Sequence, residues 1–174
     1  MSRPALFDFP NPVNEVSARL VAGGVVAMSV TYLATGWTPL LLVITYGFVA
    51  RVLTGPTLSP LGQLVTRFGT PRLGLPERTT AGPPNRFAQG IGATLSTAAV
   101  IVYFAGSPLA AKILIGMIVI AASLESFVGF CLGCVMFRQL MKVGVIPESV
   151  CVDCADISDR LAAAELRRER LAVG

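Results

Sequence analysis

The sequence predicts an all-α integral membrane protein, a bundle of four transmembrane helices. Three observations carry that prediction. Hydrophobic residues make up 53% of the 174 residues and charged residues only 14%, where a soluble domain carries about 25% charged residues. Mean hydropathy is +0.70. Two long uncharged runs are each interrupted once by turn residues, which gives two helical hairpins. The same composition excludes a soluble globular domain and a disordered chain. The absence of histidine removes Ser-His-Asp and Cys-His catalysis, His-ligated haem and His metal ligands.

Residues 1–16 read as a cytoplasmic N-terminal segment. MSRPALFDFPNPVNE holds two acids and three prolines. It lacks the basic, apolar and small-residue regions of a cleaved signal. The first span is therefore expected to target the chain and stay attached. Ser2 stands where N-myristoylation needs glycine.

The membrane domain is expected over residues 17–140. Between Arg19 and Arg51 lie 31 uncharged residues, more than the ~20 that one crossing needs. Thr35-Gly36-Trp37-Thr38-Pro39 breaks the run with a turn and an interfacial aromatic. The predicted spans are 17–35 and 39–53, with Arg51 placed to snorkel. The stretch between Arg86 and Lys112 is also uncharged and breaks at Gly106-Ser107-Pro108. It gives spans 87–105 and 108–130, with Pro108 in a first turn. Gly23, Gly24, Gly90 and Gly92 allow close helix approach.

The halves share punctuation. Asn14 and Tyr32 are 18 residues apart, as are Asn85 and Tyr103. Either the hairpins are a repeated unit or helical hairpins simply share such turn signals.

The middle connection contains a short helix. Leu58, Leu61, Leu64, Val65 and Phe68 fall at helical spacing, and Gly69-Thr70-Pro71 is expected to stop it. Such a helix either lies on the membrane surface or packs across the mouth of the bundle. Residues 141–174 read as a cytoplasmic tail, with a polar helix expected over 156–171.

Orientation follows from the basic residues. Arg3 and Arg19 lie at the start. Arg51, Arg67, Arg72, Arg78 and Arg86 lie in or beside the middle connection. Arg138, Lys142, Arg160, Arg167, Arg168 and Arg170 lie toward the end. Neither hairpin loop carries a basic residue. The rule that basic loops stay inside then places both termini of this multi-pass protein in the cytoplasm. The net charge of +4 is accounted for by the bilayer, and no nucleic-acid partner is implied.

The chemistry-bearing residues are the four cysteines, Cys131, Cys134, Cys151 and Cys154, in the pattern C-x2-C-x16-C-x2-C. Three readings compete. Four thiolates at this spacing suit a tetrahedral structural zinc, although GFCLGCVMF is more apolar than the usual zinc knuckle. Two dithiols suit thiol–disulfide or sulfur-relay chemistry, in which one thiolate attacks and its neighbour resolves. There Arg138, four residues beyond Cys134, favours a thiolate. Inert packing is the third reading. A cytoplasmic setting disfavours stable structural disulfides.

Glu125 is an acid within span four and needs a partner. Arg51 lies at similar depth in span two, so an Arg51–Glu125 ion pair is expected. On an ideal helix Glu125 and Cys131 point about 120° apart, so direct contact is not implied.

Asn-Pro-Val-Asn-Glu at 11–15, Gly-Pro-Thr-Leu-Ser-Pro at 55–60, Asn-Arg-Phe-Ala-Gln at 85–89 and Gly-Phe-Cys-Leu-Gly-Cys at 129–134 together carry a resemblance. The chain resembles, over roughly residues 8–155, a bacterial membrane family common in actinobacteria and catalogued as domain of unknown function 4395. The resemblance implies a four-span inner-membrane protein linked with thioredoxin-like and rhodanese-like partners. It implies no established activity. A looser likeness, of architecture only, is to four-helix membrane thiol oxidoreductases of the vitamin K epoxide reductase type.

The expected function is thiol redox or sulfur relay. Cys131 and Cys134 are then the bundle-associated pair, and Cys151 and Cys154 the pair that exchanges with a thioredoxin-like or rhodanese-like protein. The alternatives are a non-enzymatic scaffold with a four-cysteine zinc site and a small sulfur-compound transporter. The residues do not decide between enzyme and scaffold. The metal reading names zinc, with an iron–sulfur cluster as its minor option, and neither GxGxxG nor a P-loop occurs.

Overall fold

The computed structural model describes residues 11–73, 79–147 and 150–151. Helix α1 spans Glu15–Thr35. It is capped by the Asn14 carboxamide, which accepts the N–H groups of Val16 at 2.9 Å and Ser17 at 3.3 Å. It ends at Gly36, whose φ of 68° is the left-handed turn that glycine takes without strain. Helix α2 (Thr38–Thr54) starts with Pro39 in its first turn, where a missing N–H costs nothing.

The connection after α2 is helical. The Ser59 Oγ accepts from Gly62 at 3.2 Å and starts α3 (Pro60–Leu64). A π-turn (Val65–Gly69) leads into α4 (Thr70–Leu73). The Gly69-Thr70-Pro71 stop is therefore not a stop. The wider turn closes with the Thr70 N–H donating to the Val65 carbonyl. Leu61 packs under the bundle core, whereas Leu64 and Phe68 face outward.

Helix α5 spans Gly82–Phe104, five residues earlier than the expected start at 87. Gly82-Pro83-Pro84 forms the first turn, where the prolines' missing N–H groups have no intrahelical acceptor to lose. Helix α6 (Pro108–Ser123) passes into a second π-turn (Leu124–Val128), which stops at Gly129 with φ of 73°. The chain restarts as α7 (Leu132–Lys142). A two-residue antiparallel ribbon joins β1 (Val13–Asn14) to β2 (Thr79–Thr80), with Val13 opposite Thr80. The Asn11 Oδ1 accepts from Gly82 at 3.0 Å, tying the N-terminal segment to the start of α5.

Three helices are long and apolar enough to cross a membrane: Glu15–Thr35, Gly82–Phe104 and Pro108–Val128. Thr38–Thr54, at 17 residues, is apolar but shorter. The four pack in a ring in which α1 touches α2 and α6, and α5 touches the same two. Tyr32, Leu41, Ile44, Ala99, Ala111 and Ile115 fill the centre. Ile101, Phe104, Leu109, Ile113 and Ile120 project outward, each more than half exposed. An apolar exterior of this kind belongs in lipid. Gly92 sits where a Cβ would overlap the Phe48 ring, but Gly90 faces open space, so only part of the expected small-residue packing forms.

The 18-residue spacings compare unlike positions. Asn14 is a cap outside α1, whereas Asn85 is the fourth residue inside α5. Tyr103 hydrogen-bonds Thr38 at 2.8 Å, while Tyr32 is buried with its hydroxyl unpartnered. The expected tail helix over 156–171 and Cys154 lie outside the described residues.

Short hairpin loops make the ring run up and down, so the starts of α1 and α5 and the ends of α2 and α6 share one end. Helices α3, α4 and α7 gather there.

Candidate functional site

The first cysteine pair is built by a break in the chain. Gly129 ends the helix, and Cys131 enters extended backbone (φ −86°, ψ 102°) as the N-cap of α7. Its Sγ accepts the backbone N–H of Cys134 at 3.2 Å. The C-x-x-C spacing is the spacing from an N-cap to the third helical residue, so the sulfur takes the place usually held by a serine or aspartate oxygen.

Both thiols are free, and their environments differ. Cys131 is held below the ordinary thiol range, chiefly by the hydrogen bond from the Cys134 side chain, with help from the backbone N–H groups of Cys134 and Gly133; burial and the Glu125 charge oppose this. The positive end of α7 acts in the same direction as those bonds. Cys134 is pushed up, because it donates to Cys131 and is buried. The pair is therefore polarised, with Cys131 the more readily ionised thiol and Cys134 the one that holds its proton more tightly.

Helix α7 is fixed against α5. A Cβ on Gly133 would overlap Ala88, so the contact is closed to any larger residue. Phe87 and Phe137 meet edge to face with centroids 5.6 Å apart. From the other side, Arg19 donates to the carbonyls of Ser126 at 3.4 Å and Phe127 at 3.3 Å. These are carbonyls of the final π-turn, where a helix end leaves acceptors unmet. Arg19 also reaches Glu15 at 3.9 Å.

Two cavities meet at Cys131. One of about 290 Å³ is lined by both thiols with Glu15, Arg19, Glu125 and Arg138. The other, about 380 Å³ and mainly apolar, holds Cys131 but not Cys134, with Phe48, Met117 and Ile120 on its walls. Glu125 lines both. Cys131 thus stands between a charged cavity and an apolar one that borders the lipid-facing surface.

The expected Arg51–Glu125 ion pair does not form. Arg51 donates through Nε to Gln89 Oε1 at 2.9 Å and through Nη1 to Ser59 Oγ at 3.2 Å, and its guanidinium lies 4.7 Å from the Phe48 ring centre. The two charges interact only at a distance. The reason is local: the α3 cap and Gln89 reach the guanidinium first, while the π-turn aims Glu125 at the cysteine cavities. Arg138 does reach the thiol cavity, and its charge favours a Cys134 thiolate, but burial and the Cys131 bond outweigh it.

Cys151 is buried and disulfide-bonded. A disulfide sulfur is not a thiolate ligand. Among the described residues no cluster of three or more Cys, Asp or Glu is arranged to hold a metal. Arg19, Ser59, Asn85 and Gln89 were not anticipated as site residues. Arg19 carried a signal as the last charge before the first apolar run, and Ser59, Asn85 and Gln89 lie in segments that carry the family resemblance.

The family described as Domain of unknown function (DUF4395) matches residues 13–142. The chain belongs to this family. The match runs from β1 to the end of α7 and takes in Arg51, Glu125, Cys131, Cys134 and Arg138. It stops short of Cys151 and Cys154, and so is narrower than the expected 8–155. No curated protein and no solved structure matches the chain.

Proposed function

We propose that the chain is a four-span plasma-membrane protein whose Cys131–Cys134 pair performs thiol–disulfide exchange on the cytoplasmic side. The observation that carries this reading is the Cys131 sulfur at the N-cap of α7, its pKa lowered, opening into two cavities. The family match covers this pair.

Helix α2 completes the four spans in this reading. Its 17 residues rise about 26 Å, just short of the ~30 Å core. Exposed Trp37 at one end and Arg51 near the other suit the two interfaces. The basic middle connection and tail favour cytoplasmic termini.

In the exchange step the Cys131 thiolate attacks one sulfur of a disulfide on a thioredoxin-like partner and expels the other as thiolate. Cys134 then loses its proton and attacks the Cys131 sulfur of the mixed disulfide. Cys131–Cys134 becomes a disulfide, and the partner leaves with both its sulfurs reduced. Two electrons pass to the partner, and the proton of Cys134 leaves with them. The reverse sequence reduces the pair. Cys151 and Cys154 serve as the tail pair of this relay. Its disulfide-bonded Cys151 fits an exchanging site, since cytosolic disulfides are usually transient and catalytic.

The test is trapping. Cys134→Ser leaves Cys131 unable to be resolved, so a mixed disulfide with a thioredoxin-like protein should accumulate in membranes and vanish with reductant. Absence of such an adduct, with Cys131 reduced and accessible, would reject the reading in favour of a structural role.

A further inference from the structure

At the same end of the bundle lies a third cavity, of about 180 Å³, lined by Asn14, Ser17, Arg51, Gly62, Asn85 and Gln89 among others. Arg51 is 5% exposed and Asn85 6%. Arg51 Nη2 and Asn85 Oδ1 are both buried with no hydrogen-bond partner. Each of these two cavity-lining residues thus keeps one unmet polar atom, which is costly, because a buried donor or acceptor left unpaired loses its hydration without compensation.

The charge is the larger debt. The partners that Arg51 does have, Gln89, Ser59 and the Phe48 ring, are all neutral. The contacting ion pair among the described residues is Arg19–Glu15, so no carboxylate among them touches the Arg51 guanidinium. A buried arginine near lipid ordinarily meets an opposite charge. Water could fill a space of this size and satisfy the hydrogen bonds, but it would leave the guanidinium without a counter-charge in contact, since Glu125 acts on it only from a distance.

We propose that this cavity is a binding site for an oxyanion, with Arg51 as the charged anchor through its unpartnered Nη2 and the Asn85 carboxamide as the second contact. A guanidinium presents its N–H groups in a plane that fits carboxylate, sulfate and phosphate oxygens. The Asn85 oxygen can accept a proton-bearing oxygen of the same anion, or the amide can turn to donate. A free small anion and the phosphate of an acidic lipid share this chemistry. The site is independent of the thiol pair, although Asn85 also lines the thiol cavity.

The experiment is thermal unfolding of the full chain in nanodiscs of neutral phosphatidylcholine, titrated with inorganic phosphate or sulfate at ionic strength matched with chloride. A saturable rise in midpoint with oxyanion but not chloride supports the site with a free anion as its ligand. A rise only when phosphatidylglycerol is included supports it with a lipid phosphate. In either case Arg51→Gln should abolish the shift, and Asn85→Ala should weaken the apparent affinity by about tenfold or more, as expected for loss of a charge-assisted hydrogen bond. If Arg51→Gln does not fold, Asn85→Ala carries the test alone. No shift with any of the three, or an equal shift in wild type and the folded variants, overturns the proposal.

Discussion

The Cys131 sulfur accepts the backbone N–H of Cys134 across 3.2 Å, so the two cysteines are the N-cap and third residue of one helix. Together with the stronger bond from the Cys134 side chain, this relationship makes the pair unequal. The redox reading of a spacing that also suits zinc or packing rests on this inequality.

The inequality shows in alkylation. A lowered pKa raises the thiolate fraction at a given pH, and the thiolate is the nucleophile. The rate against pH for Cys131 should therefore inflect below the free-cysteine value of about 8.5. Cys134, pushed the other way, should react only at more alkaline pH. Timed iodoacetamide labelling in detergent, read peptide by peptide, checks both curves.

Gly133 is the tightest point of the α5–α7 contact. Gly133→Ala places a methyl group into Ala88, and overpacking of this kind costs about 1–3 kcal/mol. The unfolding midpoint should fall. Because α7 must shift, the Cys131 labelling rate should also move toward that of an ordinary thiol.

Arg19 holds the end of the π-turn through two carbonyls. Arg19→Ala should speed backbone hydrogen exchange over residues 126–131 severalfold, since a hydrogen bond to a charged group contributes roughly 1.5–3 kcal/mol. Glu15→Gln should do much less. The Arg19–Glu15 contact is long at 3.9 Å and partly exposed, and pairs of that kind contribute about 0–1 kcal/mol.

Metal content separates the redox reading from the scaffold. Protein purified anaerobically without chelator should hold far less than one zinc per chain, and chelator should leave its unfolding midpoint unchanged. About one zinc per chain, lost in a quadruple Cys→Ser variant, would instead establish the structural clamp.

Much of this fold is legible in the sequence because lipid leaves few options. Uncharged runs, Gly36 and Gly106 turns, and prolines at 39 and 108 place the hairpins to within a few residues. The errors occur where one residue type has two uses. The expected start at 87 passes over Pro83 and Pro84, which sit in the first turn of α5, and Gly69-Thr70-Pro71 reads as a stop but is bridged by a π-turn. The site was half legible. The cysteine spacing is visible in one dimension, and Gly129 already allows a break before Cys131. That the break makes Cys131 an N-cap depends on backbone angles. The partners of Arg51, from residues 59 and 89, come from a third dimension that charge matching with Glu125 does not capture.

The most direct measurement is the redox equilibrium of Cys131 and Cys134 in the full chain, set against defined dithiothreitol ratios and read by mass-tagged thiols. The account predicts that both thiols disappear together in one two-electron transition with a definite midpoint, and that either Cys131→Ser or Cys134→Ser abolishes it. If the two cysteines stay reduced across the whole range, or are oxidised independently of each other, the pair is not a dithiol centre and the proposed function is wrong.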